Sequence, residues 1–141
     1  MARIRATLIV PLAAALVACT AGDGAPGAAR DPGAGGDALE WQGRMPCADC
    51  EAIDTRLVLE QRGSERLYEL VEVYLSVDGD VSFEESGEWR LDHAMLSLEP
   101  EGGGIRRYAL VHGGALQARD LRGRTLPGRE RGLLQPVQPD H

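Results

Sequence analysis

The sequence contains no lysine; all fifteen of its basic residues are arginine. We ascribe that bias to coding composition rather than to chemistry. The arginines are scattered, and the formal net charge is -7. An acidic chain without a basic cluster excludes a phosphate-tracking nucleic-acid surface. No apolar run reaches the roughly 20 residues that a membrane-spanning helix needs. Beyond the N-terminal leader, no segment repeats apolar residues at i, i+3, i+4 and i+7, so amphipathic helices are not expected. There is no Ser-His-Asp pattern, no phosphate loop and no carboxylate pair placed for acid-base work, and the chain is read as a non-enzyme. Asp78 and Asp80 around Gly79 offer too few oxygens for a calcium loop and read as a hairpin turn.

The start of the chain is more informative. Met1-Ala2-Arg3-Ile4-Arg5 is basic, and an apolar run of 12 residues follows from Ala6 to Val17. That pairing reads as a secretion signal. The run ends Leu16-Val17-Ala18-Cys19, which resembles the lipobox of bacterial lipoproteins, where the cysteine is acylated and becomes the first mature residue. Residues 1-18 are therefore expected to be a leader and Cys19 the lipidation site. Acyl chains contribute about 0.8 kcal/mol per buried CH₂, so two or more anchor a chain without a transmembrane helix. Thr20 follows Cys19; by resemblance to enterobacterial sorting, the absence of Asp there points to the outer membrane. Loss of Arg3 and Arg5 with the leader takes the formal charge from -7 to -9. Anionic lipid head groups would repel such a chain, which leaves the acyl chains as its membrane contact. Residues 20-38 are mostly Gly, Ala, Pro and Asp and cannot build a core. As a flexible linker they reach roughly 25 Å.

From Trp41 the pattern is short and alternating. Thr55, Leu57 and Leu59 fall on one face. Tyr68, Leu70, Glu72 and Tyr74 share a face, with Leu67, Val71, Val73 and Leu75 on the other. Trp89 and Leu91, Leu96 and Leu98, Tyr108 and Leu110, then Leu116 and Leu121 continue the series. Period-two alternation over such lengths marks half-buried strands. The breaks at Gln61-Ser64, Val77-Asp80, Glu101-Gly104 and His112-Gly114 are glycine-bearing turns. The expected fold is all-β, a small antiparallel barrel over residues 39-126, because closure removes exposed edges. Residues 127-141, with three prolines, are expected to be an irregular tail in which Leu133-Leu134 packs locally at most.

One stretch carries more than a fold. Gly43 to Glu60 reads GRMPCADCEAIDTRLVLE. It resembles the signature of the NlpE family of envelope lipoproteins, often called copper-resistance proteins. The matching residues are Trp41, Gly43, Met45, Pro46-Cys47-Ala48-Asp49-Cys50, Glu51, Ile53, Asp54 and Thr55, and Tyr68, Leu70, Tyr74, Gly87, Trp89, Leu96 and Leu98 follow in the expected order. Ala52 departs from the family's usual Gly. The resemblance implies a lipocalin-like β-barrel on the outer membrane, facing the periplasm, with a part in copper homeostasis or envelope-stress sensing. Longer members carry a second C-terminal domain with its own cysteine pair, and signalling that needs that domain is not expected from the residues present here.

With Cys19 committed to lipid, Cys47 and Cys50 are the remaining thiols. In an oxidising periplasm they are expected to form a disulfide. So short a loop gains only about 2 kcal/mol from its closure. Reduced, the two thiolates are soft ligands suited to Cu(I). Asp49 and Glu51 would attract a cation while raising the thiol pKa. Zinc would want four ligands, and His93, His112 and His141 stand at no metal-ligand spacing from the pair. A thioredoxin-type oxidoreductase would place the motif at a helix N-terminus, and no helix is expected. Three functions remain open: copper handling or stress sensing through Cys47 and Cys50, or, with Cys47 and Cys50 only a structural disulfide, a barrel for a small apolar ligand or an interaction module for another envelope protein.

Overall fold

The computed structural model describes residues 38-138, so the leader, Cys19, most of the linker and His141 lie outside the described residues. Eight strands follow in order: β1 (Leu39–Met45), β2 (Ala52–Arg62), β3 (Glu65–Leu75), β4 (Val81–Asp92), β5 (Met95–Pro100), β6 (Arg106–Leu110), β7 (Leu116–Arg119) and β8 (Leu133–Pro136). Each pairs antiparallel with the next, and β8 returns to β1 to close a barrel. A 3₁₀ turn at His112–Gly114 is the one helical element among the described residues.

The alternation explains which face lies inside. Thr55, Leu57 and Leu59 of β2, Tyr68, Leu70 and Glu72 of β3, Trp89 of β4, Leu96 and Leu98 of β5, Tyr108 of β6 and Leu116 of β7 are all buried. Both tryptophans keep their polar edge satisfied, as buried indoles must. Trp41 Nε1 donates to the Gly114 carbonyl at 2.8 Å and Trp89 Nε1 to the Glu60 carbonyl at 3.0 Å. Two glycines permit close approach of neighbouring strands. A Cβ at Gly43 would overlap the Leu133 carbonyl of β8, and one at Gly87 would overlap the Glu99 carbonyl of β5.

The structure departs from the sequence reading at the C-terminal end. The segment expected to be an irregular tail contributes β8, and Leu134 is 0% exposed within the core. The folded domain therefore runs past Leu126 to Pro136. Leu121, expected to end the strand series inside, is 64% exposed in the β7-β8 connection. Asp120 turns the chain there: its Oδ1 accepts from the Arg122 and Arg124 amides at 2.9 and 2.8 Å. The inward position on β7 belongs to Ala118 instead. The β4-β5 turn falls at His93-Ala94, where His93 is expected as a turn or surface residue, and it contains no glycine. His93 itself takes the positive φ, at 53°.

The topology gives the barrel two distinct ends. At one end β1 begins from the linker, together with the turns at 63-64 and 93-94 and the 3₁₀ turn. At the other end lie the connections 46-51, 76-80, 101-105 and 120-132. β1 separates the two ends by roughly 20 Å.

Candidate functional site

Cys47 and Cys50 sit in the connection between β1 and β2, at the end of the barrel away from the linker. Pro46 follows the last β1 residue, and its lack of an N–H suits a strand end. The two cysteines are joined in a disulfide, with S–S 2.01 Å and Cα–Cα 5.4 Å. The Glu51 amide donates to the Leu75 carbonyl at 2.9 Å, pinning the loop to the end of β3. Both cysteines are half-buried and pack on the core, while Pro46, Ala48, Asp49 and Glu51 are exposed. The disulfide thus covers one end of the barrel and faces solvent across Ala48 and Asp49. Cys50 Sγ lies 3.4 Å from the Ala52 carbonyl oxygen, so in the dithiol form that oxygen can accept the S–H.

The histidines stand elsewhere. His93 and His112 are exposed at the linker end, opposite the disulfide. His93 Nδ1 is 2.7 Å from its neighbour Asp92. Among the described residues no three His, Cys, Asp or Glu side chains gather into a metal cluster. Any copper held by the reduced pair would therefore rest on two sulfur ligands, which satisfies Cu(I) and not zinc.

A second polar constellation lies within the barrel. Arg106, at the start of β6, reaches Glu85 of β4 through Nε at 3.1 Å and the buried Glu72 of β3 at 3.3 Å. The Tyr68 hydroxyl donates to Glu85 at 2.9 Å. Burial opposes the Arg106 charge, but the carboxylates of Glu72 and Glu85 more than offset it and its pKa stays above the ordinary value. Burial, and then the Glu85 carboxylate, push the Tyr68 phenol well up, and burial pushes Tyr108 up to about 12. Both phenols are therefore neutral donors at any physiological pH. Sequence reasoning did not single out this group. Its one visible signal was a carboxylate, Glu72, on the same strand face as Tyr68 and Leu70.

Comparison with known proteins places the molecule. Residues 41–129 match the model of the NlpE N-terminal domain. Lipoprotein NlpE of Escherichia coli strain K12 is 32% identical over 99 residues, covering 70% of this chain and 40% of that protein. The crystal structure of the Cpx pathway activator NlpE from Escherichia coli superposes with a TM-score of 0.56 at 33% identity, covering 64% of this chain and 46% of that one. The chain spans less than half the length of the relatives it matches.

Proposed function

The chain belongs to the NlpE N-terminal domain family, and on that premise we propose that it is an outer-membrane-anchored, periplasm-facing lipoprotein that handles copper or senses envelope stress through Cys47 and Cys50. The observation that carries this reading is the placement of the disulfide. It lies at the barrel end farthest from the linker, half-buried against the core and open to solvent on one side. With Cys19 acylated, the linker would tether the barrel by its opposite end and leave the disulfide end free to meet the periplasm. Thiol–disulfide exchange with a dithiol reductant, which leaves as its own disulfide, would open the bridge to two thiols, and their loss of two protons on metal binding would yield a bis-thiolate pair for one Cu(I). The role is non-catalytic: the domain changes state and does not turn over a substrate. The Escherichia coli relative is described as an activator of the Cpx pathway. For this chain, the matching step would be contact between the disulfide end and a partner protein in the envelope.

The test is a Cu(I) titration against a chromophoric Cu(I) chelator, using the full chain in its disulfide and dithiol forms. We expect one Cu(I) per reduced chain, none on the oxidised chain, and loss of binding in Cys47→Ser/Cys50→Ser. Unchanged affinity in the double variant would sink the copper reading.

A further inference from the structure

The barrel wall is incomplete near its disulfide end. β4 pairs with β3 from Val81 to Glu88 but with β5 only from Gly87 to Asp92, so Val81–Ser86 has a strand neighbour on one side alone. Behind that gap lies an open cavity of about 550 Å³, a volume suited to a small ligand. Its apolar part is made by Leu70 and Tyr74 of β3 and, beside them on the paired strand, Val81 and Phe83 of β4. Val81 and Phe83 remain 52% and 56% exposed although they share the inward face of β4 with Trp89. The Tyr74 and Phe83 rings meet edge to face at 5.2 Å.

The inner end of the cavity is polar and under-satisfied. Glu72 is buried, and the hydrogen bonds it accepts, from the Arg106 guanidinium at 3.4 and 3.3 Å, lie beyond the usual range. Thr55 stands directly opposite Glu72 in the β2-β3 ladder and shares its face, one strand behind the cavity lining. It is 4% exposed, and its Oγ1 has no hydrogen-bond partner among the described residues. Buried polar atoms of this kind ordinarily find partners. Glu72 and Glu85 outnumber the single guanidinium of Arg106, and Glu84 adds a further carboxylate at the rim. An anionic head group would meet net negative charge. A purely apolar ligand would leave Glu72 as it is. Among the described residues a bare metal ion would find no cluster of ligands.

We propose that this opening binds a small amphiphilic cation. Its apolar tail lies on Tyr74, Val81 and Phe83, and its ammonium head donates to Glu72. This site is separate from the cysteine chemistry, so either can fail without the other.

Titration of the full chain carrying Cys19→Ser with octylammonium, followed by NMR, tests the proposal. Octanoate, octanol and a lysine-rich extended peptide serve as comparison probes. We expect saturable shifts at Leu70, Tyr74, Val81 and Phe83 with octylammonium, and at least tenfold weaker binding of octanoate and octanol. Phe83→Ser, at an exposed position, should weaken octylammonium at least tenfold while the fold is retained; Glu72→Gln should do the same. Equal or tighter binding of octanoate would overturn the proposal. So would octylammonium affinity unchanged by Phe83→Ser, or no saturation at all. Saturation by the peptide alone, with shifts along Ser82 to Glu84, would assign the gap to strand pairing with a protein instead.

Discussion

Replacement of Leu134 by alanine should destabilise the domain by about 2–5 kcal/mol, the range for a fully buried leucine whose cavity cannot collapse. For a domain of about 100 residues, each kcal/mol lowers Tm by roughly 4–8 °C, so the melting temperature should fall by at least about 8 °C. The physical reason is closure. β8 is four residues long and pairs with β1 at Trp41↔Pro136 and Gln42↔Gln135, so Leu134 is its principal hold on the core. Without that hold, β1 and β7 each lose a neighbour and present unpaired edges. Leu121→Ala is the matched control, because Leu121 is mostly exposed; a surface change of this kind should stay within about 0.5 kcal/mol. Thermal or urea unfolding of the two variants reads the difference. Equal effects would mean that β8 does not close the barrel.

The second large effect is expected from Arg106→Met. The change removes the guanidinium that faces both Glu72 and Glu85. Glu72 would then be a buried carboxylate without a cation. Breaking a buried pair from one side costs about 3–5 kcal/mol, whereas replacing both partners is often neutral. Arg106 keeps 38% of its side chain exposed, so solvent screening should bring the loss to about 2–4 kcal/mol. Adding Glu72→Gln to Arg106→Met should restore most of that loss. Urea denaturation of the two single variants and the double variant measures the coupling directly. Additive losses would show that the two groups do not act as a pair.

Much of the architecture was legible because half-buried strands impose period two on the chain. Alternation alone puts Thr55, Leu57 and Leu59 on one face, and all three are buried. β8 was not legible. Four residues with adjacent leucines and a proline show no alternation, and the burial of Leu134 depends on β1, which lies far off in sequence. Leu121 misled for the opposite reason. It follows Asp120, whose carboxylate captures two amides of the following turn, and that local hydrogen bonding outweighed the pull of one leucine toward the core. The cysteine pair was legible because of its flanking residues, but its position at the barrel end away from the linker follows only from counting strands. The Glu72–Arg106 contact spans 34 residues, and no local pattern announces a pairing that the closure of the sheet creates.

Under the proposed function Cys47 and Cys50 form a chemically responsive pair rather than a permanent staple. Alkylation of thiols at the moment of lysis, in cells grown with and without added copper, followed by intact mass of the full lipoprotein, tests it most directly. The account predicts a reduced fraction at Cys47 and Cys50 whose size changes with copper. A pair that stays fully oxidised in every condition would contradict it and leave the disulfide as a structural cap on the barrel.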